Sequence, residues 1–185
     1  MSYTAEVAHN HKNKTRGVEV EKIEKGVAHI LLGEGRRSLW VMGEHVPYKV
    51  PSQRTGGAYS LFEVTTQPNG GPPPHVQHRE DEALYVLEGE YEFLSGEETI
   101  RAGTGSLIYV RKGTLHAHKN VGEGVGRMLV TETPGGLYEH FFEEVGKPME
   151  GEAKPLAFEE RSEVERRIME VASEYGIEVL PPIVE

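Results

Sequence analysis

From Val18 onward the apolar residues fall in short runs, several of them alternating with polar residues at a period of two. Such runs occupy 27–32 (VAHILL), 38–43 (SLWVMG), 58–65 (AYSLFEVT), 84–88 (LYVLE), 90–95 (EYEFLS), 98–101 (ETIR), 106–110 (SLIYV), 115–119 (LHAHK) and 127–132 (RMLVTE). Turns bearing Gly, such as Ser95-Gly96 and Ala102-Gly103, separate them. Many short strands at this interval predict an all-β sandwich or barrel. In Glu90-Tyr91-Glu92-Phe93 the alternation sends both aromatics to one face and both carboxylates to the other, so one sheet face is packed and one is wet. The tail follows a different period: Val164, Ile168, Val171 and Tyr175 recur at helical spacing behind the capping-box pattern Ser162-Glu163-Val164-Glu165. This predicts a C-terminal α-helix over 163–175, ended by Gly176 in a left-handed cap and barred from resuming by Pro181-Pro182. That helix is expected against the outside of the sheet or against a partner subunit. The layout is therefore a loosely held arm at 1–17, a β-barrel over 18–150 and a helical extension over 151–185.

Composition narrows the function. The 185 residues suit one hydrophobic core. Twenty Lys and Arg against 30 Asp and Glu give a net charge of −10, which repels nucleic acid and anionic membrane surfaces. The absence of Cys excludes disulfide scaffolds, thiolate metal sites and cysteine nucleophiles. No apolar run reaches bilayer-spanning length and Met1–Arg16 is polar, so a cytoplasmic protein with no membrane partner is expected. Nine His in a chain this short make their positions worth following, because His is the commonest metal ligand.

Two segments concentrate the chemistry. In the first, Pro72-Pro73-Pro74 forces an extended approach that delivers His75 into a strand with its direction set. There His75 and Gln77 share one face and Val76 and His78 the other; Glu82 rejoins the first face if 78–81 form a turn. In the second, from Gly105 to Asn120, a strand, a Gly turn and another strand carry His116 and His118 on one face. His75, Glu82 and His116 are the makings of a mixed nitrogen and oxygen site for one divalent transition metal: Zn, Fe, Ni, Mn or Co. The bland alternative makes His116 and His118 polar groups on a wet sheet face and His75 a turn residue; the three together favour the metal. His118 is either a fourth group from the side or a wet-face or supporting residue. Tyr59, Phe62, Tyr85, Phe93, Tyr109 and Met128 are expected in the core or lining the barrel, and Trp40 as a packing anchor. Phe141-Phe142 suggests a short amphipathic turn over a barrel mouth or interface, whereas His9, His11 and Arg36-Arg37 read as solvated.

These segments resemble the two cupin motifs. The first, Gly-x(5)-His-x-His-x(3 or 4)-Glu-x(6)-Gly, is matched by His75, Gln77, Glu82 and Gly89, and the second, Gly-x(5)-Pro-x-Gly-x(2)-His-x(3)-Asn, by Gly105, Gly113, His116 and Asn120. The wider chain, with Thr133-Pro134-Gly135-Gly136-Leu137, His140-Phe141-Phe142 and Tyr175-Gly176-Ile177, is similar to single-domain quercetin-dioxygenase-like cupins. The resemblance implies an antiparallel jelly-roll barrel whose N-terminal strands extend one sheet or swap onto a second subunit, with the site inside one mouth, and a homodimer. It also implies His75, Gln77, Glu82 and His116 as metal ligands, Glu82 as the catalytic proton acceptor, and dioxygenation of a small aromatic or enolisable substrate. The departures are Asn69 beside Gly70 at the leading Gly, Arg111 at the usual Pro, and Gln77 at the usual second His. Three readings of Gln77 stand: it ligates through its oxygen, it holds a metal-bound water, or it marks an empty site. The last would make the chain a non-catalytic small-molecule binder. The Gln also resembles the ligand set of cupin-fold phosphomannose isomerases, which leaves a metal-dependent sugar isomerase or epimerase as a third reading.

Overall fold

The computed structural model describes residues 38–96, 98–149 and 157–180; the run at 27–32, His9, His11 and Arg36-Arg37 lie outside them. The described elements are β1 (Ser38–Val41), β2 (Glu44–Val50), α1 (Ser52–Thr55), β3 (Ser60–Thr66), β4 (His75–Gln77), β5 (Asp81–Glu88), β6 (Glu90–Ser95) and β7 (Glu98–Gly103). They continue with β8 (Leu107–Val110), β9 (Leu115–Asn120), β10 (Gly126–Thr133), α2 (Leu137–Val145), β11 (Lys147–Pro148), α3 (Phe158–Val171), a 3-10 turn (Ala172–Tyr175) and β12 (Ile177–Val179). The strands form two antiparallel sheets, β11-β1-β2-β3-β10-β5-β8 and β12-β4-β9-β6-β7: the sandwich or barrel predicted by the strand pattern, in the jelly-roll form that the resemblance implies.

Alternation places the core between the sheets. Phe62 and Val64, Leu84 and Val86, Tyr91 and Phe93, and Met128 and Val130 are all buried, two from each of β3, β5, β6 and β10. The same parity corrects three expected core aromatics: with Leu84 and Val86 inward, Tyr85 must face solvent, and Tyr109 does so beside buried Val110. Tyr59 lies just before β3 and is also exposed. Trp40 is buried as anticipated, its Nε1 without a hydrogen-bond partner.

Around Phe141-Phe142 the chain forms a nine-residue helix, α2, where the sequence reading expects a short turn. Buried Tyr138, Phe141, Phe142 and Val145 recur at helical spacing, and the Phe142 ring meets Phe62 edge-on with centroids 5.5 Å apart, so the helix closes the barrel interior. Buried Glu139 secures α1 to it, accepting hydrogen bonds from the Ser52 amide at 2.6 Å and hydroxyl at 2.7 Å. Helix α3 starts five residues before the predicted boundary: the Glu160 carboxylate accepts the Ala157 amide, which leaves Ser162 inside the helix. It packs on α2, with Phe141 and Tyr175 ring centroids 5.6 Å apart. Gly176 has φ 75°, the predicted left-handed cap, and from it the chain returns as β12 along the free edge of β4. No described helix is long and apolar enough to cross a membrane.

The approach to β4 is a tight fit. Gly71 has φ 143°, and a Cβ there would lie 2.0 Å from the His118 carbonyl oxygen in β9. Neither the torsion nor the clash can be relieved by a flexible side chain, since the neighbour is backbone. Gly71→Ala is therefore expected to cost on the order of 3 kcal/mol in urea unfolding; an unchanged midpoint and slope would show that the segment does not press on β9.

Candidate metal centre

Backbone hydrogen bonds hold β4 on all sides. Pro74 O accepts from the Leu180 amide at 2.8 Å, Gln77 O from the Gly113 amide at 2.6 Å, and the His78 amide donates to Gly176 O at 2.9 Å. Between β9 and β12, His75 stands in register with His116 on one side and Val179 on the other. The two imidazoles lie with centroids 4.2 Å apart. Each has its Nδ1 on a backbone carbonyl two residues earlier: His75 on Pro73 O at 3.0 Å and His116 on Thr114 O at 2.9 Å. A carbonyl can only accept, so both Nδ1 atoms carry the proton; neutral His75 therefore keeps a free lone pair on Nε2, whereas His116 Nε2 faces the Glu82 carboxylate, which favours a proton between the two. His75 Nε2 is buried without a hydrogen bond, as is Gln77 Oε1.

Glu82 enters from β5, directly opposite Val110 of β8 and Glu132 of β10. Its Oε2 stands 3.2 Å from His116 Nε2. The preceding residue, Asp81, accepts the Lys112 amide at 2.8 Å and the Tyr109 hydroxyl at 3.0 Å. That clamp ties the start of β5 to the Arg111–Gly113 turn, where the motif would have placed a Pro. Thus His75, Gln77, Glu82 and His116 all reach the interior, as the spacing predicts, and all four are buried.

Electrostatics separates their states. Burial lowers the His75 pKa to about 4, with the neighbouring His116 pushing the same way. Burial alone would raise Glu82, but contact with His116 and the charge of His75 outweigh it and bring it to about 2. His116 is raised correspondingly, desolvation being overcome by the Glu82 carboxylate. Glu132 is pushed well above the carboxylate range by burial and by the Glu82 charge facing it.

His118 is neither exposed nor free. Its ring is buried with Nε2 2.8 Å from Glu44 Oε1, and Thr66 Oγ1 donates to the same oxygen at 2.6 Å while receiving the Tyr91 hydroxyl at 3.3 Å. The wet-face reading of His116 and His118 is thereby corrected: their strand buries both, and His118 lines the cavity. That cavity has about 20 Å³ of free space, room for one water-sized group. His75, Glu82 and His118 form its polar wall; Phe62, Val130 and Phe142 form its apolar wall.

Sequence reasoning missed Glu44, Glu80 and Glu132, all buried charged residues. The period of β10 carries a signal for Glu132, which shares parity with inward Met128 and Val130. Among the described residues no three His, Asp or Glu side chains stand together as a ready metal site, with Glu82 turned onto His116. The donors nevertheless fit a divalent transition metal: the partnerless His75 Nε2 and Gln77 Oε1, with the His116–Glu82 pair, whose shared proton a metal would displace.

An antiparallel jelly roll with inward His, Gln and Glu on these strands defines a class, and sequence comparison places the chain in it. Residues 62–132 match the family model described as a cupin domain. An uncharacterised protein of Streptomyces coelicolor is 33% identical over 78 residues, 42% of this chain and 68% of that protein. The chain belongs to the cupin family. A quercetin 2,3-dioxygenase of Bacillus subtilis is 23% identical over 138 residues, and a probable germin-like protein of Arabidopsis thaliana is 31% identical over 110. These matches cover 74% and 57% of this chain but only 40% and 51% of the two relatives. Among solved structures, a Schizosaccharomyces pombe cupin domain is similar at 15% identity and TM-score 0.47, covering 57% of this chain and 73% of that one. A sugar phosphate isomerase of Silicibacter pomeroyi is similar at 19% identity and TM-score 0.46, covering 54% and 70%.

The state of His75 is open to direct measurement. In ¹⁵N-histidine spectra of metal-free protein its ring is expected to stay neutral, with the proton on Nδ1, until the pH falls to about 4. Above that midpoint the lone pair is available and below it the ring is cationic; titration near 6.5 would contradict the desolvated geometry.

Proposed function

We propose that this cupin is a mononuclear metal-dependent dioxygenase acting on a small enolisable or phenolic substrate, with His75, Gln77, Glu82 and His116 holding one divalent transition metal. The observation that carries the reading is the pair of imidazoles fixed by Pro73 O and Thr114 O, their Nε2 atoms buried side by side with the Glu82 carboxylate. A bound metal supplies Lewis acidity and electron exchange with dioxygen. The rest is the work of the chain. The two backbone carbonyls fix the tautomer of the imidazoles and restrain their aim. Glu82 is an anion at neutral pH and lines the cavity, where it can accept a proton from substrate. Phe62, Val130 and Phe142 keep the other wall dry.

A second reading, a metal-binding cupin without catalysis, is favoured by the size of the cavity. About 20 Å³ is far below the few hundred Å³ of an ordinary ligand pocket, so even a small diketone requires movement of α2 or of side chains around it.

Calorimetric titration with Mn(II), Fe(II), Co(II), Ni(II) and Zn(II), followed by oxygen-uptake assays with a small β-diketone and a flavonol, separates these readings. Wild type is expected to bind one equivalent and consume oxygen with the diketone; binding without uptake would favour the non-catalytic reading. Glu82→Ala and His116→Ala should each weaken binding at least about 100-fold while far-ultraviolet circular dichroism stays unchanged. Metal affinity unaltered in both variants would remove the site assignment.

A further inference from the structure

Gln77 is the residue in this centre that departs from the cupin motif, and its surroundings account for how an amide can serve there. The side chain is 2% exposed, and its backbone is fixed by β12 on one edge and by the Gly113 amide at 2.6 Å. An amide has one donating end and one accepting end. The donating end is committed: Nε2 gives a hydrogen bond to Glu132 Oε1 at 3.4 Å. The accepting end, Oε1, is buried and has no partner. Glu132 is itself wholly buried and stands on β10, opposite Glu82 across the ladder, so its position is set by the sheet.

We infer that Glu132 is a positioning residue that holds the Gln77 amide with its nitrogen turned to β10 and its Oε1 free, so that residue 77 serves the metal as a neutral oxygen donor. The inference rests on the metal-binding reading above and deepens it. Without the Glu132 oxygen, the amide loses its anchor on β10 and keeps only its contact with the buried Tyr138 hydroxyl, which as donor or acceptor suits either end of the amide, so nitrogen can be offered in place of oxygen. An amide nitrogen that keeps both protons has no available lone pair, so the rotated side chain is no ligand. The consequence extends to metal choice. A neutral oxygen in place of a third imidazole moves the donor set away from the nitrogen-rich preference of Ni(II), Cu(II) and Zn(II) and toward Mn(II) and Fe(II).

The test uses metal-free full-length protein, calorimetric titration with Mn(II) and Co(II), and the visible absorption of the Co(II) form as a readout of coordination. Glu132→Gln retains an oxygen acceptor and is expected to keep both affinities within about threefold of wild type. Glu132→Leu, which removes the acceptor, is expected to weaken both by about 10- to 100-fold and to change the Co(II) spectrum. In a Gln77→Ala background the same Leu substitution should cost several-fold less than in wild type, because the group it positions is gone and only its contact with Glu82 remains to be lost. Glu132→Met serves in its place if the Leu variant fails to fold by circular dichroism. Wild-type affinity and spectrum in the Leu or Met variant would overturn the positioning role while leaving the metal site standing. So would an equal loss in the Gln77→Ala background. No binding of either ion by wild type would overturn the metal reading and this inference with it.

Discussion

The centre depends on one strand pairing. β4 is only three residues long, yet it sets His75 opposite His116 across its ladder with β9, and a one-residue slip would turn both side chains of the β4 ligand pair out of the barrel. Three residues supply few ladder bonds, so the register has to be secured from outside. The three prolines fix the entry, Gly71 allows the chain to lie against the β9 backbone at His118, and the Gly113 amide takes the Gln77 carbonyl at the exit. The second edge of β4 is covered by β12, which gives the C-terminal segment a role in placing the site 100 residues earlier in the chain.

From that register follows the chemistry. Both imidazoles are oriented by carbonyls of their own strand approaches, Pro73 O and Thr114 O, and are desolvated by the sheet opposite. Burial keeps His75 neutral down to about pH 4, while the anionic Glu82 raises its neighbour His116. Two nearly identical side chains thus differ in proton affinity because one has the carboxylate at its Nε2 and the other does not. Glu132, facing the same carboxylate, is driven the other way. Around them, the Tyr91, Thr66, Glu44 and His118 chain joins the second sheet face to β2 and β3 and shapes the cavity wall.

Much of this was legible in the sequence because it follows from local rules. The period of two predicted the strands, the face that His75 shares with Gln77 and the face that His116 shares with His118, and the proline run predicted the extended entry. What stayed hidden is tertiary. β2 begins with inward-facing Glu44 and contains Pro47, so alternation failed to mark it as a strand. Glu132 and Glu80 read as ordinary surface carboxylates until the facing strand or helix buries them. α2 was visible in the spacing of Tyr138, Phe141, Phe142 and Val145, but dense Glu between them suggested a turn. β12 has three residues, too few for any periodicity, and forms a strand only because β4 offers an edge.

The buried His75 Nε2 and Gln77 Oε1, left without partners inside this barrel, are the atoms that a bound metal would satisfy. Elemental mass spectrometry of the untagged chain, expressed in medium supplemented with Mn, Fe, Co, Ni and Zn, tests for that metal most directly. Close to one equivalent of a single divalent metal per chain is expected. Protein that leaves purification metal-free despite supplementation would contradict the metal-binding reading, and would mark the site as one that has lost its ion.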